Sequence, residues 1–256
     1  NRLRAQVHPV VSLTVGQPSD PAPRAVREAA ALAVQNGQIG YTDSLGLMDL
    51  RKAIAQHYGD AYGLDIPASR IAVTTGSSAG FNLAFLAMFD AGDRVAITTP
   101  GYPAYRNILA ALGLEVVEIR LGDEGYLTAE MLERTHREKS LKGVLFASPG
   151  NPTGALIPAE ALRELVEAAR DLGIAVISDE IYHRLSYTGA DVSALSYGDD
   201  VTVINSFSKY YCMTGWRIGW MVLPEELVRP VERISQSLYI SAPEASQIGA
   251  IQGFGA

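Results

Sequence analysis

Short apolar runs alternate with amphipathic stretches along most of this chain. Runs rich in Val, Ile and Ala at 71–75, 95–98, 116–119, 144–147, 175–178, 201–204 and 218–222 have the length and β-branched content of buried strands. Helical spacing fills most of the intervals, at 82–89, 104–112, 129–137 and 159–172. Upstream, 23–36 carries Ala25, Val26, Ala29, Ala30, Leu32 and Ala33 behind a proline in the first turn, with Gly37 as a stop. Leu50, Ile54 and Tyr58 give 47–62 the same periodicity. Residues 10–15 read as a short extended piece entering a turn at Gly16-Gln17-Pro18, and 40–46 as a loop. Strands separated by helices predict an α/β protein: a three-layer α/β/α sandwich around a mostly parallel sheet of about seven strands. No linker, repeat or low-complexity tract divides the chain.

Composition narrows the functional classes. With 256 residues, 48% of them hydrophobic, the chain can bury a large core. A net charge of -7 without any Lys/Arg cluster argues against nucleic acid as a partner. The single cysteine, Cys212, cannot form an internal disulfide, and His8, His57, His136 and His183 lack ligand spacing, so no metal site is predicted. There is neither a signal pattern nor an apolar run near the ~18 residues that a membrane span needs. A cytoplasmic protein is therefore expected. The chain begins at Asn1 and ends abruptly at Gly253-Phe254-Gly255-Ala256, which suggests an excised piece of something longer.

In a parallel sheet, ligands sit beyond the carboxyl ends of the strands. Five such joints carry chemistry. Gly76-Ser77-Ser78 offers backbone N–H groups at a helix start to an anion, although a serine there is more often an N-cap. Tyr102, between Gly101 and Pro103, can cover a flat heterocycle or simply pack in a rigid turn. Asn151, ahead of Pro152, brings a donor and an acceptor to a bend. Asp179 ends an apolar strand and wants a cationic partner, its bland alternative being a helix cap, and Tyr182 follows three residues on. Ser206, Ser208 and, farther on, Arg217 can hold a phosphate, while the Lys209 amine can form an imine with a carbonyl. Together these groups suit a phosphorylated aldehyde.

Four of these motifs, Asn151-Pro152-Thr153-Gly154, Asp179-x-x-Tyr182, Ser206-x-Ser208-Lys209 and Gly215-x-Arg217-x-Gly219, stand in the order and spacing of the class I/II aminotransferases. The chain resembles these pyridoxal-phosphate enzymes of the aspartate aminotransferase fold type from about Gly16 onward. The resemblance implies residues 1–40 as an N-terminal segment and first helix, and 41–256 as the large cofactor-binding domain, with the small C-terminal domain largely absent. It implies Lys209 as the Schiff-base lysine, Asp179 against the pyridine nitrogen, and Asn151 and Tyr182 on the ring hydroxyl. Ser206, Ser208, Arg217 and the Gly76-Ser77-Ser78 joint would hold the phosphate, with Tyr102 stacked on the ring. Gly16 and Asn151 would lie by the substrate carboxylate. Tyr41 would reach the phosphate of a neighbouring subunit, making the protein a homodimer that moves an amino group from an L-amino acid to a 2-oxo acid. Ser78 stands where one group of bacterial aspartate aminotransferases carries lysine, which weakens an assignment to aspartate. The arginine that clamps the substrate carboxylate in the family falls beyond Ala256.

Three rivals share some of these residues. A lyase or synthase on the same scaffold would use Lys209 and Asp179 equally well. A non-catalytic sensor would bind the cofactor without turnover. The third is a serine hydrolase, since Gly76-Ser77-Ser78-Ala79-Gly80 fits a G-x-S-x-G elbow with Ser78 as nucleophile, yet the histidine that this fold needs late in the chain is missing after His183.

Overall fold

The computed structural model describes residues 16–187 and 189–255. The extended piece expected at 10–15, and His8, lie outside the described residues.

All seven predicted strands form, as β1 (Ile71–Thr74), β2 (Arg94–Thr99), β3 (Glu115–Arg120), β4 (Gly143–Ala147), β5 (Ala175–Asp179), β6 (Val201–Ser206) and β7 (Gly219–Val222). They make one sheet in the order β1-β7-β6-β5-β4-β2-β3. Neighbours from β6 through to β3 are parallel, whereas β7 runs antiparallel to both β6 and β1. Two reversals in succession restore the direction, so β1 points the same way as β6. The sheet is thus mixed at one place only, and the reversed β7 starts at the edge where the other strands end.

The helices are α1 (Arg24–Gln35), α2 (Met48–Tyr62), α3 (Ser77–Met88), α4 (Pro103–Ala111), α5 (Ala129–Lys139), α6 (Ala159–Asp171), α7 (Glu225–Leu238) and α8 (Glu244–Ile251). The sequence reading placed the first six and missed the last two. Alternate residues of each central strand face opposite sides, so the sheet carries an apolar core on each face. Val73, Val144, Val176 and Val203 pack with Val26, Leu50, Ile54, Leu132, Leu165 and Ala250 from α1, α2, α5, α6 and α8. On the other face Ala72, Leu145, Ile177, Ile204 and Met221 meet Phe81, Phe85, Leu109 and Val231 from α3, α4 and α7. The three-layer arrangement follows from this division. Among the described residues, no helix is long and apolar enough to cross a membrane.

Candidate active site

The strand order gathers the chemistry-bearing joints at one rim. β5 and β6 pair in parallel with Asp179 opposite Ile204, so Asp179 and the turn that carries Lys209 leave adjacent strands at the same edge. They are neighbours rather than on opposite sides of the molecule. The antiparallel β7 brings Arg217 to that edge from the other direction, since Arg217 precedes Gly219, the first residue of β7.

Gly76 links β1 to α3 with φ +80°, a left-handed conformation that a side chain would strain. It is itself the N-cap residue of α3, and neither Ser77 nor Ser78 caps the helix with its side chain, which corrects the bland expectation for those serines. The first amides of α3 have no intrahelical partner, as in any first turn, and remain available to an anion. A Cβ on Gly76 would lie 2.3 Å from Arg217 Nη2, so the guanidinium lies flush against this glycine. Gly219 passes equally close: its Cβ would stand 2.8 Å from the Asn205 carbonyl oxygen and 3.0 Å from the Ser77 nitrogen. Ser206 Oγ lies 2.9 Å from Ser208 Oγ and 3.1 Å from the Ile218 carbonyl oxygen, and accepts the Ser208 N–H at 3.1 Å. Helix amides, two hydroxyls and a guanidinium thus meet in one place, a donor set suited to a phosphate dianion.

The opposite end is buried and acidic. Asp179 is 4% exposed. Its Oδ1 accepts the Ile181 N–H at 3.0 Å, which braces a turn at 181–184 rather than capping a helix, and its Oδ2 accepts a short hydrogen bond from the Tyr105 hydroxyl. Among the described residues it forms no salt bridge. Burial pushes its carboxyl up to about 6, with the bonds from Tyr105 and Ile181 opposing the rise. A desolvated carboxylate of this kind gains most from a cation placed against it.

Tyr105 was absent from the candidate residues read from sequence. It is buried, tilted edge-on to Phe81 at 5.1 Å and to Tyr102 at 5.4 Å between ring centroids. Its position three residues after Tyr102, on the first turn of α4, was the available signal. Tyr102 itself is partly exposed at the N-cap of α4.

Between these ends, Asn151 Nδ2 donates to the Tyr182 hydroxyl at 3.4 Å. The Lys209 ammonium nitrogen lies 5.8 Å from the Tyr182 ring centroid and donates to the Gly16 carbonyl oxygen. Lys209 is half-buried, and this burial lowers its proton affinity, leaving more of the neutral amine than an exposed lysine would have. Burial likewise raises Tyr182, which keeps its phenol protonated. The predicted residues that do not join this cluster are Ser78, which is exposed, and Tyr41, which is 83% exposed and turned to the surface.

The fold and this rim together define an α/β scaffold that gathers anion donors at one end and a buried carboxylate at the other. The profile of the family "Aminotransferase class I and II" matches residues 8–254. Valine–pyruvate aminotransferase of Mycobacterium tuberculosis is 47% identical over 249 residues, which is 96% of this chain and 64% of that protein. The (5-formylfuran-3-yl)methyl phosphate transaminase of Methanocaldococcus jannaschii is 36% identical and is covered to 66% of its length. The crystal structure of the Thermotoga maritima aspartate aminotransferase superposes with a TM-score of 0.94 at 32% identity, covering all of this chain (100%) and 69% of that one. The chain belongs to the aminotransferase class I and II family, whose members depend on pyridoxal 5'-phosphate. It spans about two thirds of the length of the curated relatives it matches, 64% and 66%.

Proposed function

We propose that this protein is a pyridoxal-phosphate-dependent aminotransferase that moves the amino group of an L-amino acid to a 2-oxo acid. What carries the proposal is the buried Asp179, without a cationic partner among the described residues, at the rim where the desolvated Lys209 amine also emerges. The donor set fits the cofactor: without a Cβ at positions 76 and 219 the Arg217 guanidinium and the ends of β6, β7 and α3 can approach closely, and Ser206, Ser208, Arg217 and the α3 amides suit its phosphate. When bound, the cofactor supplies an electron sink that makes the Cα–H bond of an amino acid breakable.

The residues of the chain do the rest. Asp179 would pair with the ring nitrogen and keep it protonated by opposing charge away from water. Asn151 and Tyr182 donate to the ring hydroxyl, and Tyr102 covers the ring. Lys209 would hold the aldehyde end and, once displaced by the substrate amine, its neutral amine would be placed to take the proton from Cα. Gly16 and Asn151 border the substrate carboxylate. Valine with pyruvate is the first substrate pair to test, following the relative from M. tuberculosis. The proposal includes a cytoplasmic homodimer in which Tyr41 contacts the phosphate held by the second subunit.

The test is an absorption titration with pyridoxal phosphate, followed by product analysis in the full-length protein. Wild type is expected to show a visible band that Lys209→Ala lacks, and to form pyruvate-derived alanine from valine. Identical bands in both proteins would reject the lysine. Release of ammonia without an acceptor would favour a lyase, and a band without any turnover would favour a sensor. Labelling of Ser78 by a fluorophosphonate would point to the hydrolase.

A further inference from the structure

The loop at 40–47 has no regular secondary structure, yet it is held by side chains from far along the chain. Gln247 on α8 is 0% exposed and spends its amide largely on this loop. Its Oε1 accepts the Leu47 N–H at 2.7 Å, and its Nε2 donates to Thr42 Oγ1 at 3.0 Å and to the Ala242 carbonyl oxygen at 2.8 Å. Both donors and the acceptor oxygen are therefore engaged, which is what the burial of an uncharged amide requires. Gly46 makes room for it: with φ +91°, a Cβ there would come within 2.9 Å of Gln247 Oε1. Farther up the loop, Glu244 Oε2 accepts the Gly40 N–H at 2.6 Å, and Ser241 Oγ accepts the Thr42 N–H at 3.3 Å. The backbone amides on both sides of Tyr41 are pinned, while the Tyr41 side chain itself is 83% exposed. A large aromatic ring held outward by a backbone that cannot relax is poorly explained by the packing of its own subunit.

We infer that Gln247, assisted by Glu244, is a positioning residue that locks the 40–47 loop so that Tyr41 is presented to the phosphate end of a second copy's site. This rests on the proposed partner-directed role of Tyr41, whereas the lock itself does not. The side-chain hydrogen bonds of Gln247 and Glu244 go to this loop and to Ala242, and to none of the proposed cofactor ligands, so both would act through Tyr41.

Two readouts on the full-length, cofactor-loaded protein separate the parts. Hydrogen exchange reads the lock: Gln247→Leu is expected to expose the Leu47 amide, whose partner it removes, and Glu244→Ala the Gly40 amide. Because Glu244 is only half-buried, its variant keeps the test valid if Gln247→Leu folds poorly. Unchanged protection in both would overturn the lock. Cofactor dissociation reads the consequence, through a double-mutant cycle with Tyr41→Phe. Loss of one phosphate contact weakens retention roughly tenfold or more, and Gln247→Leu or Glu244→Ala should approach that loss. Added to Tyr41→Phe, either should weaken retention by less than about twofold more. Independent, multiplying effects would overturn the coupling. A Tyr41→Phe protein with wild-type retention would overturn the partner-site role, and hydrogen exchange would then decide the lock by itself.

Discussion

The two ends of the candidate cradle are built in contrasting ways. At the phosphate end, three chain segments meet around glycines 76 and 219, and the groups on offer are amides, hydroxyls and an exposed guanidinium. At the ring-nitrogen end a single carboxylate is almost wholly buried and held by Tyr105 and the Ile181 amide. The first end divides its work among several contacts, of which Ser206 and Ser208 are buried and Arg217 is exposed. The second concentrates it in one group whose charge is expensive to bury unless something cationic lies against it. On the proposed reading, the contrast would separate retention of the cofactor from its activation.

Substitutions can break this contrast in order of size. The largest effect belongs to Lys209, between the two ends: Lys209→Ala should lower turnover by about 10³-fold or more, since the anchor and the proton carrier are lost together. Steady-state kinetics and the visible band check it.

Asp179→Asn comes next, with a fall in turnover of about 10²–10⁴-fold at saturating cofactor. The same change should stabilise the cofactor-free protein. The Asp179 carboxyl is raised to about 6 in the fold, so the unfolded chain gives up its proton first as pH rises, and stability drains away from about pH 4 to pH 6. Above that window the wild type carries the full burden, on the order of 2–4 kcal/mol, which asparagine avoids. Melting curves at pH 4 and pH 8 should show a gap that opens only at the higher pH. A mutant less stable at both would contradict the unpaired-carboxylate picture.

Arg217→Ala should raise the cofactor dissociation constant by about ten- to a hundredfold, as expected for one charge-assisted contact of about 1.5–3 kcal/mol. Turnover at saturating cofactor should stay within about threefold. If turnover collapsed while binding held, the division of labour between the two ends would be wrong.

The smallest effect is reserved for Tyr105→Phe, which keeps the ring packing against Phe81 and removes only the hydroxyl. The Tyr105 bond holds Asp179 down, so its loss should move the acid limb of the pH–rate profile upward, by less than about one pH unit. An unmoved limb would show that the bond is only structural.

Much of this is legible in the sequence. Strands of Val and Ile between helical repeats declared the sheet, and short motifs after the strands declared the rim, because β-branching and the turn residues are local properties. Direction is not local. Nothing in Gly219-Trp220-Met221-Val222 distinguishes a reversed strand from a parallel one, so the mixed edge went unread. α7 is masked in the sequence by Pro230, a residue that disfavours a helix interior yet lies inside this one, although Glu225 and Glu226 in its first turn, with Leu227, Val228, Val231 and Ile234 along one face, are a usable signal. α8, rich in Ala, Ser and Gly, has little periodic contrast. Tyr105 and Gln247 were hidden for another reason: each acts through a partner at least 74 residues away, and that pairing exists only once the sheet has folded.

Gly219 has one more implication. Three stretches remote from each other along the chain converge there, and a methyl group would stand 2.8 Å from the Asn205 carbonyl oxygen and 3.0 Å from the Ser77 nitrogen, so the join of β6, β7 and the start of α3 has no room for a side chain. A substitution at that single site would have to push apart the strand and helix ends that flank the proposed anion pocket, without replacing any group proposed to line it.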